Sequence, residues 1–199
     1  MLKINPKRRM MVYGKTQSGK SYWVRTWLKS VNAYLIWDVK KQYSEFGVVV
    51  DSVNELVLAV RSGAERIVFQ PMDLSVFDSL CGFIVDNMRG FLFVVEEVQL
   101  VTSPNFTPPK FMHIISVLEE EGVGVIGVSQ RPSQVSTVLR GNCSYVVSFR
   151  LNEDIDKKAV SCISDNDLGV LREFEFLFYD DSKYDNPISK HKSPTVKAF

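Results

Sequence analysis

Along most of the chain, short apolar segments alternate with segments that have helical periodicity. Runs rich in β-branched and aromatic residues predict seven strands. These strands are residues 10–13, 33–38, 66–70, 91–95, 123–129, 144–150 and 173–180. Several of the runs are apolar throughout rather than alternating, which is typical of parallel strands that are buried on both faces.

Helical patterns lie between most of these strands. In residues 73–90 the apolar positions recur at steps of three and four and Gly90 follows, which predicts an amphipathic helix. A second helix is predicted over residues 52–63, where Ser52 is a candidate N-cap and Glu55 follows three residues later. Further helices are predicted over residues 20–30, 110–120 and 133–140. The alternation of strands and helices predicts an α/β fold with a mostly parallel central sheet and helices on both faces.

Composition limits the size and the environment of the protein. The 199 residues, 45% hydrophobic and 24% charged, suit a single globular domain. We place this domain at residues 1–180, because residues 181–199 are polar and prolyl, as is typical of a flexible tail. No apolar run approaches the roughly 20 residues that span a bilayer, and no secretory signal follows the charged N-terminus.

Cysteine usage and charge narrow the picture further. The three cysteines are widely spaced and odd in number, which indicates reduced thiols and a cytoplasmic location. The net charge is +1, so the whole molecule does not attract nucleic acid strongly. Any DNA contact would therefore come from a local patch, or from several copies arranged around a channel.

The segment GKTQSGKS fits the pattern GxxxxGK[ST] and lies between a predicted strand and a predicted helix. Glycines allow successive backbone N–H groups to face a phosphate, and a helix N-terminus favours the same anion. Lys20 supplies an ammonium group for the β and γ phosphates, and the Ser21 hydroxyl is a ligand for Mg²⁺. The predicted ATP-binding residues are Gly14, Lys15, Thr16, Gln17, Ser18, Gly19, Lys20, Ser21 and Tyr22. The alternative is a glycine-rich surface turn with an exposed lysine.

Two further strands end in groups that hydrolysis requires. Glu96 and Glu97 follow the apolar strand 91–95, and in a parallel sheet ligands bind at such carboxyl ends. One acid could hold the metal's water shell while the other orients or deprotonates the attacking water. Gln130 follows strand 123–129 and could hydrogen-bond the γ-phosphate or that water. The alternatives are a solvated pair of glutamates and a helix-capping turn.

Together, the phosphate loop, the strand that ends in acids and the strand that ends in SQRPSQV resemble the FtsK/HerA superfamily of DNA-pumping ATPases. The chain is most similar to the genome-packaging ATPases of tailless double-jelly-roll viruses, including archaeal ones. The resemblance runs from about residue 10 to residue 150, and IWDVKKQY is similar to the family's second strand. It implies a three-layer P-loop NTPase fold of the RecA/ASCE-like type, with ATP and Mg²⁺ as ligands.

The resemblance also implies roles for individual residues. Glu96 takes the metal-associated acid position, where the family usually has Asp, Glu97 is the catalytic glutamate, and Gln130 is the sensor. Many relatives carry an arginine before the sensor strand that reaches into a neighbouring subunit, but this chain has Glu-Glu-Glu-Gly at 119–122. The substitutes are Arg131 and Arg140, with Arg89 as a third candidate.

The function implied is an ATP-driven translocase that pumps double-stranded viral DNA into a preformed capsid. It would act as a ring, expected to be a hexamer, in the host cytoplasm or at the virion, with capsid or membrane-vertex proteins as partners. Candidate DNA contacts, which ordinary solubilising charge would equally explain, are the loop 98–110 and Lys3, Lys7, Arg8, Arg9, Lys183, Lys190, Lys192 and Lys197.

Two other functions stay open from the sequence. A Zot-like phage-assembly ATPase would export single-stranded DNA at a membrane, and such proteins usually carry a membrane helix. A nucleotide-dependent interaction module would bind nucleotide without any stimulation by DNA.

Overall fold

One sheet organises the molecule in the computed structural model, which describes residues 2–193. Its nine strands are β1 (Arg9–Tyr13), β2 (Tyr34–Trp37), β3 (Val48–Val50), β4 (Arg66–Phe69), β5 (Leu92–Val95), β6 (Gly124–Ser129), β7 (Tyr145–Phe149), β8 (Glu175–Asp180) and β9 (Ile188–Lys192). Their order across the sheet is β3-β4-β2-β5-β6-β1-β7-β8-β9. The first seven strands in this order, from β3 at the edge to β7, pair in parallel. Strand β8 is antiparallel to both of its neighbours, β7 and β9.

Helices cover both faces of the sheet. They are α1 (Lys20–Leu28), α2 (Val53–Arg61), α3 (Phe77–Asn87), α4 (Pro109–Ser116), α5 (Thr137–Gly141), α6 (Asp154–Ala159) and α7 (Asp165–Val170). Successive residues of a strand face opposite sides, so Met10 of β1 packs with α1 while Met11 packs in the cluster that contains α2, α3 and α4. The predicted α/β fold with a mostly parallel sheet between two helical layers is confirmed.

The elements that the sequence did not predict are short or polar. Strand β3 has three residues, two of them exposed, and helices α6 and α7 have six residues each. Strand β9 pairs with β8 from Ile188 to Lys192, so the folded unit extends beyond the boundary predicted at residue 180. Residues 194–199 of the predicted tail lie outside the described residues.

The sheet order determines where a ligand can bind. Strands β2, β5, β6 and β1 are neighbours and run parallel, so their carboxyl ends meet at one edge. Asp38, Glu96, Gln130 and Gly14 directly follow these four strands. Within residues 2–193, no helix combines the length and apolar character that crossing a membrane would need.

Candidate active site

The phosphate loop joins β1 to α1 by a tight backbone path. Gly14 has φ 150° and Gly19 has φ 106°, conformations that side chains with a Cβ rarely adopt. A Cβ on Gly19 would lie 2.9 Å from the ring of Phe174, so this position also needs glycine for space. Gln17, with φ 62°, takes the left-handed conformation without that freedom. The loop therefore has a tightly curved backbone of the kind that can present N–H groups to an anion.

Lys20 is folded back into the loop that precedes it. Its buried side chain donates from Nζ to the carbonyls of Gly14 at 2.6 Å and Lys15 at 2.8 Å. Burial lowers the pKa of Lys20 to about 8, and the nearby charge of Lys40 lowers it too, whereas the two glutamates act in the opposite direction. The ammonium group stays mostly protonated at neutral pH and lies within the loop, where a triphosphate would need it.

A cavity of about 220 Å³ borders the outer side of the loop. Three cationic side chains, Lys15, Arg150 and Arg172, and one acidic side chain, Glu173, line it, so its charge is positive on balance. The Ser18 hydroxyl, 5% exposed, also lines it and has no hydrogen-bond partner within residues 2–193. These features fit a nucleotide, because a buried hydroxyl beside cationic side chains can donate to a phosphate or ribose oxygen.

Glu96 is buried where β5 ends, and it accepts a hydrogen bond from the hydroxyl of Tyr43. Burial raises the pKa of Glu96 to about 7. Burial, and then the charge of Glu96, raise the pKa of Tyr43, whereas a hydrogen bond with Ser21 lowers it. The Ser21 hydroxyl and the Glu96 carboxylate therefore both border Tyr43. Such an oxygen pair suits Mg²⁺, and these two residues would hold the ion.

Glu97 follows Glu96 in a left-handed conformation with φ 51°. Its carboxylate accepts hydrogen bonds from the side chains of Lys40, Gln99 and Gln130, the last at 2.7 Å. Burial alone would raise the pKa of Glu97, but these three donors outweigh it and hold the pKa below its ordinary value. Glu97 is therefore charged at neutral pH and can act as a hydrogen-bond acceptor for water.

Gln130 connects the phosphate loop to Glu97. The hydroxyl of Thr16 donates to Gln130 Oε1 at 2.5 Å, while Gln130 Nε2 donates to Glu97 Oε1 at 2.7 Å. The amide thus bridges the segments that follow β1 and β5, and its orientation depends on both neighbours. A ligand that displaces the Thr16 hydroxyl would change what Gln130 offers to Glu97.

The segment that follows β2 completes the site. Buried Asp38 accepts hydrogen bonds from the backbone N–H groups of Gln42 at 3.0 Å and Tyr43 at 2.9 Å, and from Gln70 Nε2 at 3.0 Å. This turn directs Lys40 and Tyr43 toward the two glutamates. The sequence pattern singled out IWDVKKQY, but it assigned no role to Lys40 or Tyr43. The only feature of the sequence that could have indicated a role for them is that they follow β2, whose carboxyl end lies beside that of β5.

The candidate arginines already have partners within the chain. Arg131 pairs with Asp156 at 2.8 Å, and its side chain is 46% exposed. Arg140 donates to the carbonyls of Val135 at 3.3 Å and Ala159 at 2.7 Å. Arg89 pairs with Glu121 and precedes the amino end of β5, so it lies at the edge of the sheet away from the phosphate loop. The structure brings none of these three side chains onto Glu97 or Lys20 in the described part of the chain.

The candidate DNA-contacting residues are dispersed. Arg8 and Arg9 precede or begin β1 and pair with Glu119. Lys183 lies 3.5 Å from Asp180, and Lys190 lies 2.9 Å from Glu175. Lys3, Lys7 and Lys192 are exposed, and Lys197 lies outside the described residues. The loop 98–110 starts directly after Glu97 and exposes Leu100 and Phe106, so it runs from the candidate active site to the surface.

Comparison with other proteins supports the fold. No family model matches the sequence, and a search of curated proteins finds no relative. The chain is similar in structure to the genome packaging NTPase B204 from Sulfolobus turreted icosahedral virus 2 in complex with ATP-gammaS. The TM-score is 0.81 at 19% identity, covering 96% of this chain and 100% of that one.

Weaker structural similarity extends to two further proteins. VirB4 of Thermoanaerobacter pseudethanolicus matches with a TM-score of 0.65 at 10% identity, covering 95% of this chain and 90% of that one. The N-terminal domain of zonular occludens toxin from Neisseria meningitidis matches with a TM-score of 0.56 at 12% identity, covering 96% and 95%. The predicted likeness to packaging ATPases is thus confirmed at the level of fold.

Proposed function

We propose that the chain is an ATPase that translocates double-stranded DNA and packages a viral genome into a preformed capsid. The observation that carries this proposal is the hydrogen-bond path from Thr16 through Gln130 to Glu97. It joins a phosphate loop to a charged glutamate across three strands, which is the connection that a hydrolase needs between its triphosphate and its water-activating group.

Each residue of the path has a chemical role in hydrolysis. Backbone N–H groups of the loop and the Lys20 ammonium bind the triphosphate. Ser21 and Glu96 would hold Mg²⁺, which neutralises phosphate charge when it is bound. Glu97 orients the attacking water and accepts its proton. Gln130 responds to the terminal phosphate through its neighbour Thr16.

Hydrolysis would be coupled to DNA through the loop 98–110. This loop begins one residue after Glu97, so a change at the carboxylate reaches its exposed part directly. A ring of copies, expected to be a hexamer, would place several such loops around one DNA molecule and contact phosphates without reading sequence. A neighbouring subunit's arginine, from Arg131, Arg140 or Arg89, would complete the site. Capsid or membrane-vertex proteins would be the partners at the virion.

The test is the rate of ATP hydrolysis with and without duplex DNA, together with the native mass in the presence of nucleotide. We expect hydrolysis that duplex DNA stimulates and that Lys20→Ala abolishes. Stimulation by single-stranded DNA alone would favour Zot-like export. Nucleotide binding with no response to DNA would favour an interaction module and would contradict the translocase.

A further inference from the structure

Lys40 is a cation at the candidate active site for which the hydrolysis scheme above has no use. It lies three residues after Trp37, the last residue of β2, and its ammonium group forms an ion pair with Glu97. Its side chain is 42% exposed, whereas that of Glu97 is 7% exposed. Lys40 can therefore leave this partner and move without unpacking the core.

The pairing leaves Glu97 poorly available to water. Oε1 accepts from both Lys40 and Gln130, and Oε2 accepts from Gln99. A carboxylate offers about four acceptor positions, so three side-chain donors occupy most of them. A water that is to be activated needs one of these positions. Lys40 is the donor with the greatest charge, and thus its removal would change the carboxylate most.

The charge of Lys40 also reaches the groups that are proposed to bind the phosphates. Its charge acts on Lys20 of the phosphate loop and on Glu96, two groups that border the expected position of the β and γ phosphates. A bound triphosphate adds several negative charges at this point. Coulomb attraction in a partly desolvated site would then favour an ammonium–phosphate contact over the existing ammonium–carboxylate contact.

We propose that Lys40 is a second phosphate-directed cation, which holds Glu97 while no γ-phosphate is present and moves to the terminal phosphate of bound ATP. Its departure frees one acceptor position on Oε1 of Glu97, which still accepts from Gln130, for the attacking water. This inference rests on the proposed ATPase function and deepens it, because it gives the site a way to distinguish a triphosphate from a diphosphate. Lys40 is thus a positioning residue for Glu97 and a contact for the substrate.

The test compares the affinities for ADP and for a β,γ-methylene analogue of ATP, measured by calorimetry. Lys40→Met should weaken binding of the triphosphate analogue about tenfold, since a charge-assisted contact is lost, and leave ADP affinity within about twofold. Lys40→Arg should keep most of the discrimination. Lys41→Met, which removes the same charge from the adjacent exposed lysine, is the matched control and should change neither affinity.

A double-mutant cycle sharpens the test. Glu97→Gln releases Lys40 from its ion pair, so it should raise the affinity for the triphosphate analogue, and this gain should be much smaller in a Lys40→Met background. An equal loss for both nucleotides in Lys40→Met, or additive effects in the cycle, would overturn the proposal. If the unaltered protein bound neither nucleotide, the ATPase function itself would fail. If it bound both and Lys40→Met kept their ratio, only the role of Lys40 would fail.

Discussion

The phosphate loop and the acid cluster occupy the same edge of the sheet but are assembled in different ways. Lys20 of the loop donates to carbonyls five and six residues earlier, so the loop is built from contiguous sequence. Glu97 of the acid cluster takes its partners from Lys40, 57 residues away, and Gln130, 33 residues away. The comparison shows that local backbone chemistry specifies the proposed nucleotide-binding half of the site, whereas sheet topology specifies the proposed hydrolytic half. Substitutions in the two halves should therefore fail in different ways.

The largest effect on nucleotide binding is expected from Lys20→Ala, a substitution in the phosphate loop. The loop loses its only buried ammonium among residues 2–193, so affinity for ADP and ATP should fall by at least about 100-fold. Calorimetry measures the affinities, and circular dichroism checks that the fold is intact. Lys29→Ala, which removes an exposed lysine just after α1, is the control and should bind as before. Near-normal binding by the Lys20 variant would falsify the assignment of the loop.

The reverse pattern is expected from Glu97→Gln. Loss of the carboxylate removes the acceptor for the water's proton, so the turnover rate should drop by about 100-fold to 1,000-fold. Nucleotide binding should persist, and triphosphate binding should strengthen, because the phosphate loop is unchanged and Lys40 is released from its ion pair. Steady-state hydrolysis together with calorimetry separates the two effects. A variant that lost binding and turnover together would place Glu97 in the binding half instead.

The contrast between local and long-range assembly also explains what the sequence could predict. GKTQSGKS was recognisable because every residue that it needs is adjacent. Glu97 and Gln130 were found because each follows an apolar strand. Lys40 and Tyr43 were missed because only the neighbouring positions of β2 and β5 in the sheet bring them to the glutamates.

The same reasoning applies to the fold. Buried strands such as β5 can be predicted because their residues are continuously apolar. In contrast, β9 has the mostly polar sequence ISKHK and forms a strand through its pairing with β8. Helices α6 and α7 are too short for a periodic pattern to emerge. Tertiary contacts, rather than local propensity, decide these segments.

A stability effect of intermediate size is expected from Glu96→Gln in the absence of Mg²⁺. Burial raises the pKa of Glu96 from an ordinary 4.5 to about 7, so the folded state favours the neutral carboxyl. The unaltered protein should therefore lose stability as pH rises from about 4.5 to 7. At pH 8 the Gln variant should be more stable by about 2–4 kcal/mol, and near pH 4.5 the two should be equal. Urea unfolding at both pH values in EDTA measures this, and a difference that did not depend on pH would contradict it.

The smallest effect is expected from Thr16→Val, which tests the connection between the two halves. The substitution removes the donor to Gln130 Oε1, so the turnover rate should fall by about twofold to tenfold while affinity changes little. Thr26→Val on α1 is the matched control, since that hydroxyl donates only to the Tyr22 carbonyl. A Thr16 variant with an unchanged rate would mean that the two halves act independently.

The close approach of the Phe174 ring to Gly19 links the conformation of the phosphate loop to the C-terminal strands β8 and β9. Phe174 takes φ 61°, and the Ser193 N–H donates to its carbonyl at 2.8 Å, just beyond the last strand. A loop that tightened around a ligand would press on this ring and, through it, on the β8–β9 hairpin. A conformational change at the phosphate loop would then be transmitted to β9, the edge strand of the sheet. A fluorescent probe attached to β9 would report ligand binding without contacting the phosphates.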